Sequence, residues 1–266
     1  MSIKSNLDQY YTSPEYAQYC YDKTREYIDL SNYLVMEPAA GTGSFYNLLT
    51  DAKRLGFDID PKIDGLISGD FLKQDFVTDN QIVALSNPPF GFKSELAIKF
   101  FNKCASLYSQ YICFIVPLTF RKPATQNRLN DHYHLILDET SPNKCFILDK
   151  APHHVPCCFQ IWERRSTKRT MHEIRKTSNM FKFCNKLSAN IRVKRIGTKA
   201  GEYAKPGTEH SDGSMLYIRT DEVEKIYSIL NSAAYLQYIK EIRANVAGQY
   251  SVSKSELIIG IERFRQ

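Results

Sequence analysis

Short apolar runs that stop on polar or turn-forming residues constrain the fold of this chain more than any other feature. Residues 33–36 run into Glu37, 55–57 into Asp58, 66–67 into a turn ending at Asp70, 82–85 into a loop carrying Asn87, and 111–116 into Pro117. Apolar runs of this length, bounded by turn residues, read as strands buried on both faces. Helix-compatible stretches lie among them. One covers 15–27, with Ser13 placed as N-cap and Pro14 at the first helical position, and another covers roughly 93–108. Strands alternating with helices predict an α/β chain, a doubly wound, mostly parallel sheet of Rossmann-like type with seven strands. Ligands of such sheets sit across the C-terminal ends of the strands, where Glu37, Asp58, Asp70 and Asn87 all fall.

Three of these ends carry chemistry. Glu37-Pro38-Ala39-Ala40-Gly41-Thr42-Gly43-Ser44-Phe45 reads as strand, glycine turn and helix. Gly41 and Gly43 remove Cβ atoms where a ligand must approach the backbone, and the helix presents free N–H groups. Asp58 stands where doubly wound folds accept hydrogen bonds from ribose hydroxyls, although it and Asp60 also suit simple turn acids. Asn87-Pro88-Pro89-Phe90 is a stiff bend, because two prolines fix φ and push the preceding residues toward extended backbone. A planar ring bearing an amine fits it. The NH2 donates to the Asn87 side-chain oxygen and the Pro88 carbonyl, and Phe90 stacks on the ring. An ordinary proline turn is the plain alternative for these four residues alone.

In this order the residues resemble the S-adenosylmethionine-dependent amino-group methyltransferases, especially the gamma-type DNA adenine-N6 group. The resemblance rests on Gln9-Tyr10-Tyr11-Thr12-Ser13-Pro14, on Glu37 to Phe45, on Asp58, on Asp70-Phe71 and on Asn87 to Phe90, and it covers roughly residues 8–120. The first segment departs from the family pattern by an inserted Ser13. The resemblance implies a class I methyltransferase fold and S-adenosylmethionine as cofactor. It places Tyr11 and Thr12 at the methionine end, Pro38, Ala39, Gly41, Gly43 and Phe45 in the cofactor loop, and Glu37 or Asp58 on the ribose hydroxyls. Asp70 accepts from the cofactor adenine with Phe71 against that ring, though Phe71 equally suits the core. The catalytic bend is Asn87, Pro88, Pro89 and Phe90, with Asn87 also touching cofactor.

The remainder is less informative. A strand is expected at 133–137, another at 145–148, and a closing one at 156–162. Phe120, Arg121 and Lys122 follow the fifth strand and suit base or phosphate contacts, with core packing as the alternative for Phe120. His153-His154 and Cys157-Cys158 stand close together, but adjacent pairs on a strand cannot converge on one ion, so no metal site is expected. Between Arg164 and Lys199 lie twelve cations, including Arg164, Arg165 and Arg195, with Glu173 as the sole acid after Glu163. That imbalance, within a formal net charge of +6, suits a phosphate-binding surface. Among these cations Met180, Phe181 and Phe183 suit either stacking or core. A polar loop runs from Gly197 to Gly213; then come a strand at 215–218, a helix from 222 capped by Asp221, a helix at 233–244 and a last one opened by Ser253 and Glu256 as a capping box.

The expected organisation is a catalytic domain over 1–165 and a small, basic α+β region for the nucleic-acid substrate over 166–266. The expected function is methyl transfer to adenine N6 in nucleic acid, DNA favoured. The alternatives are RNA adenosine, a protein glutamine amide through a similar Asn-Pro-Pro-aromatic bend, or a non-catalytic nucleic-acid-binding module. The chain carries no long apolar run or charged-then-apolar start, and its seven cysteines lack framework spacing. A cytoplasmic protein is therefore expected, or a nuclear one in a eukaryote, rather than a membrane or secreted one. The sequence does not speak to oligomeric state.

Overall fold

A computed structural model describes residues 10–148, 151–205, 207, 211–246 and 248–265. In chain order the elements are β1 (Tyr11–Thr12), α1 (Pro14–Tyr27), β2 (Leu34–Glu37), β3 (Lys53–Asp58), β4 (Ile67–Ser68), β5 (Ile82–Ser86), α2 (Glu95–Ser106), β6 (Tyr111–Pro117) and α3 (Pro123–Gln126). There follow β7 (Tyr133–Thr140), β8 (Phe146–Leu148), β9 (Ala151–His153), β10 (Cys157–Arg164), β11 (Lys182–Phe183), β12 (Ile191–Lys194), β13 (Met215–Arg219), α4 (Val223–Asn231), α5 (Ala233–Arg243) and α6 (Lys254–Arg263). Asp8, Gln9 and Pro206 lie outside the described residues. No helix among those described is long and apolar enough to cross a membrane.

The chain divides into two compact units. The first comprises 1–120 and 125–171, the second 121–124 and 172–266. The division after 171 differs slightly from the expected one after 165, because Lys168 and Arg169 are tied back to the first unit. Lys168 pairs with Asp131, and the Arg169 guanidinium donates to the Gln126 and Leu129 carbonyls.

A seven-stranded sheet, ordered β4-β3-β2-β5-β6-β10-β7, is the frame of the first unit. β2 to β6 run parallel, and β10 enters antiparallel between β6 and β7. With helices α1 and α2 flanking the sheet, this is the doubly wound, mostly parallel Rossmann-like architecture that the alternation of strands and helices predicts. The central strands read as continuous apolar runs because both faces are covered: Val83, Ala84 and Leu85 of β5 and Ile112 to Ile115 of β6 are wholly buried. α1 begins where Ser13 and Pro14 predict, with the Ser13 hydroxyl accepting from the Tyr16 amide at 3.3 Å.

Three local expectations are corrected here. The glycine turn is followed by a single 3₁₀ turn, Tyr46–Leu48, and not by a full helix. β3 starts at Lys53, so too little chain remains after the turn to complete one. The strand expected to close the sheet at 156–162, β10, instead lies inside it, and the edge is taken by β7; the expected strand at Phe146–Leu148 stands apart from that sheet. It forms the middle of a small antiparallel sheet between β1 and β9, which turns the N-terminal segment into a strand.

The second unit is a three-stranded antiparallel sheet, β11-β13-β12, with a core of its own. Ile191 and Val193 of β12 and Leu216 and Ile218 of β13 share that core with Ile226, Tyr235, Ile239 and Leu257. The capping box at Ser253 and Glu256 forms in both directions. Asp221 does not cap α4. The helix starts after Glu222, whose amide is taken by the Thr220 hydroxyl.

Candidate functional site

The C-terminal ends of β2, β3, β4 and β5 surround a cavity of about 290 Å³, at the small end of the usual range for small-molecule sites. Its wall is built from the predicted glycine turn (Glu37, Pro38, Ala39, Gly41, Phe45), the strand-end acid Asp58, the Asp70-Phe71 pair, the bend Asn87-Pro88-Pro89-Phe90 and the segment Tyr11-Thr12.

The glycine turn is held from below by carboxylates. Gly41 donates its amide to Asp58 Oδ2 at 2.7 Å, and Asp58 Oδ1 accepts from the Asp60 amide at 2.8 Å. Glu37, almost wholly buried, accepts from the Tyr46 amide at 2.6 Å. Burial pushes its carboxyl well above the ordinary range, opposed by the Tyr46 and Phe45 amides. Asp58 keeps unused lone pairs after two amides, since a carboxylate offers about four.

Gly41 sits at φ +53°, and a Cβ there would stand 2.9 Å from the Tyr11 ring. It is glycine both for its backbone and for the aromatic side chain lying on it. Gly43, at φ +79°, differs: it does not line the cavity, and a Cβ would strike Ile63 and Asn47. Its role is turn geometry and packing.

The segment Tyr10 to Thr12 joins the two loops. The Ser44 hydroxyl donates to the Thr12 carbonyl at 3.1 Å, and Asn87 Nδ2 donates to the Tyr10 carbonyl at 2.8 Å. The Tyr10 ring is stacked on His153 at 5.2 Å between centroids. Asn87 is thereby held by its amide nitrogen, and its Oδ1 is buried with no hydrogen-bond partner. A buried acceptor left unpaired is costly, on the order of 1–3 kcal/mol, and such atoms commonly mark a place for a ligand. The bend continues through Gly91 at φ +68° into Lys93 and Ser94, both non-glycine residues at positive φ. Backbone strain of this kind collects at functional loops.

Other predicted residues are engaged differently. Asp70 lines the cavity and caps the 3₁₀ turn Phe71–Lys73 by accepting from the Leu72 amide at 3.1 Å. Phe71 also lines it, but as part of an aromatic cluster with Phe57 and Phe100, with ring centroids 5.3 and 5.5 Å away.

None of Phe120, Arg121, Lys122, Arg164, Arg165 and Arg195 lines the cavity. The Phe120 ring is wholly buried in the core and cannot stack on a base. Lys122 is committed within the second unit, its ammonium donating to Glu256 at 2.8 Å and to the Ile242 and Ser251 carbonyls. Arg121 and Arg195 also belong to that unit, Arg195 on its surface. Arg164 and Arg165 are at the wrong edge of the sheet. β10 runs antiparallel to β6, so Cys157 pairs with Pro117 beside the cavity edge while Glu163 pairs with Tyr111 at the opposite end. There Arg164 lies over the Tyr108 ring and Arg165 pairs with Glu163 at 2.7 Å.

Several lining residues had not been assigned a site role from sequence: Tyr10, Ser44, Asp60, Lys62, Leu96 and Phe100. Tyr10 stands in the segment Gln9 to Pro14 that carries the resemblance, and Asp60 reads as a turn acid. Asp60 is paired with Lys62 at 2.5 Å, and this contact raises the lysine's pKa. Just past the bend, Phe92 is 80% exposed, with the Lys93 ammonium over its ring at 4.9 Å. A run of Asn-Pro-Pro-Phe-Gly-Phe-Lys shows that second aromatic in plain view.

No family model and no curated protein matches the chain. Solved structures do resemble it. A provisionally assigned RNA methyltransferase from Pyrococcus horikoshii is 19% identical, with 59% of this chain and 87% of that one covered and a TM-score of 0.48. A provisionally assigned class I S-adenosylmethionine-dependent methyltransferase from Listeria monocytogenes is 16% identical over 65% of each chain, with a TM-score of 0.46. The 23S rRNA methyltransferase ErmE is 15% identical over 64% of this chain and 72% of that one, with a TM-score of 0.41. At such identities none of them speaks to the substrate of this chain.

Proposed function

We propose that the protein transfers a methyl group from S-adenosylmethionine to the exocyclic N6 amine of adenine in nucleic acid, with DNA as the favoured substrate. The observation that carries the proposal is the unpartnered Asn87 Oδ1. It is an amide oxygen fixed in direction by the Tyr10 carbonyl and set in the wall of a cavity whose other wall is a glycine turn.

The residues present fit the cofactor. Gly41 lets the Tyr11 ring lie against the turn in the cavity wall, and Asp58 and Asp70 offer acceptors to hydroxyl and amine groups. Acids outnumber the one lysine in the lining, which favours a cationic ligand. When bound, S-adenosylmethionine supplies a methyl group already activated by its sulfonium. The chain's own residues then orient the acceptor. Positioning of this kind is worth about 7–11 kcal/mol. Asn87 Oδ1 and the Pro88 carbonyl accept from the adenine amine, draw its nitrogen toward tetrahedral geometry and stabilise positive charge as it develops there. Phe90 packs on the ring. The proton leaves to water after transfer, so no general base is required.

Incubation with radiolabelled cofactor and matched DNA, RNA and protein pools, followed by mass spectrometry of the digests, tests the proposal. N6-methyladenine is the expected product. Label appearing only in glutamine, or no heat of cofactor binding by calorimetry, defeats it.

The exposed Phe92 supports a nucleic-acid substrate over a protein loop, since a flat apolar ring beside the bend stacks on any base. Stacking of one base is worth about 1–3 kcal/mol. Phe92→Ala is therefore expected to raise KM for the nucleic acid by roughly tenfold with kcat little changed, and Phe92→Tyr to restore it. Steady-state kinetics with saturating cofactor gives the answer, and an unaltered KM removes Phe92 from the substrate path.

A further inference from the structure

Part of the basic stretch between Arg164 and Lys199 is neutralised by acids the linear sequence keeps far away. Lys168 is paired with Asp131, Arg175 with Glu262, and Lys186 with Asp212. Several of the others share one face of the sheet in the second unit. Along β12 and β13 the side chains alternate. Ile191, Val193, Leu216 and Ile218 enter the core, which leaves Arg192, Lys194, Tyr217 and Arg219 on the other face, together with Met215, which is buried at the end of that face beside Lys194. The registers set Arg192 opposite Tyr217 and Lys182 of β11 opposite Arg219.

This outer face thus carries Lys182 and Arg219, both exposed, and the half-buried Arg192 and Lys194, around one half-buried aromatic ring. None of the four cations forms an ion pair among the described residues. Acids from adjoining segments are already engaged: Asp212 with Lys186 and the Tyr217 hydroxyl, and Glu202 with Arg243. Lys182 and Arg219 are directly opposed across the strands. Like charges in that relation destabilise a sheet, and an anion between them removes the penalty. Tyr217, tethered at its hydroxyl by Asp212 at 2.8 Å, presents a ring whose orientation is set in advance.

We infer that the outer face of the β11-β13-β12 sheet, away from the core, is a binding platform for a single-stranded segment of polynucleotide. Its phosphates lie on Lys182, Arg192, Lys194 and Arg219, and one unpaired base stacks on Tyr217. Cations on alternate residues of a strand recur about 7 Å apart. A ring among cations is the combination that holds single strands without reading sequence. The inference shares the nucleic-acid partner with the function proposed above but does not depend on the reaction.

The test uses the full chain and fluorescently labelled, adenine-free strands, oligothymidylate and oligouridylate, so that the methyl-accepting base is absent. Fluorescence anisotropy across a salt series is expected to give a steep dependence. In the variant combining Arg192→Glu, Lys194→Glu and Arg219→Glu, affinity falls by about a hundredfold or more, and the slope of log K against log salt shrinks by about 2. Tyr217→Ala weakens binding by about fivefold or more, while Tyr217→Phe stays near the parent.

Parent-like affinity in the triple variant or in Tyr217→Ala overturns the inference, as does tighter binding of a duplex than of its separate strands. Should the triple variant not fold, the unaltered protein is photocrosslinked to a 4-thiouridine oligonucleotide and digested. Adducts on peptides containing 182, 192–194 or 217–219 are expected, and adducts confined to the first unit overturn it. Calorimetry with S-adenosylmethionine on the same samples reports on the cavity separately, so failure of one reading is not mistaken for failure of the other.

Discussion

Replacing Asn87 with alanine is expected to lower the methyl-transfer rate by about two to three orders of magnitude, the loss typical for a single preorganised polar group facing developing charge. Cofactor affinity should change far less, because the acceptor is needed mainly when the amine nitrogen becomes positive. Asn87→Asp makes the attribution specific. It keeps an oxygen toward the cavity, but sets its second oxygen against the Tyr10 carbonyl that now receives Nδ2. Its rate should fall between parent and alanine. Single-turnover rates at saturating cofactor, with calorimetric affinities for the same proteins, decide the matter. An alanine variant with the parental rate would sink the role given to Asn87.

The second large effect is expected at Gly41 and not at Gly43. Both lie in left-handed backbone, where a Cβ costs on the order of 1–2 kcal/mol, yet they face different neighbours. A side chain at 41 meets the Tyr11 ring in the cavity wall. Gly41→Val should therefore weaken cofactor binding by more than about a hundredfold, with thermal stability lowered modestly. A side chain at 43 meets Ile63 at 2.4 Å and Asn47 at 2.9 Å, outside the cavity, so Gly43→Val should show mainly as lost stability. Calorimetry paired with thermal unfolding separates the two. Equal affinity losses at both positions would mean that the turn acts only as a scaffold.

The strands of the large sheet were legible because each is a short apolar run, and the cavity edge because Glu37, Asp58, Asp70 and Asn87 each follow one. What escaped the sequence depends on long-range contacts. The direction of β10 decides which edge Arg164 occupies, and nothing in its residues announces that direction. The basic stretch looked unopposed because its counter-charges, Asp131, Asp212 and Glu262, come from distant segments. Lys122 resembled a phosphate ligand until Glu256, on the last helix, was found against it. The glycine turn was read correctly as a turn, but the helix after it was inferred from a general pattern that fifteen intervening residues between β2 and β3 could not accommodate.

The segment Tyr10 to Thr12, which includes β1, has a consequence of its own. With the Thr12 carbonyl receiving Ser44 and the Tyr10 carbonyl receiving Asn87, three consecutive residues serve as a common hinge-pin for the donor loop and the acceptor loop. Lifting that pin would unlatch both halves of the pocket together, so under the proposed function readiness for the methyl donor and readiness for the amine stand or fall as one.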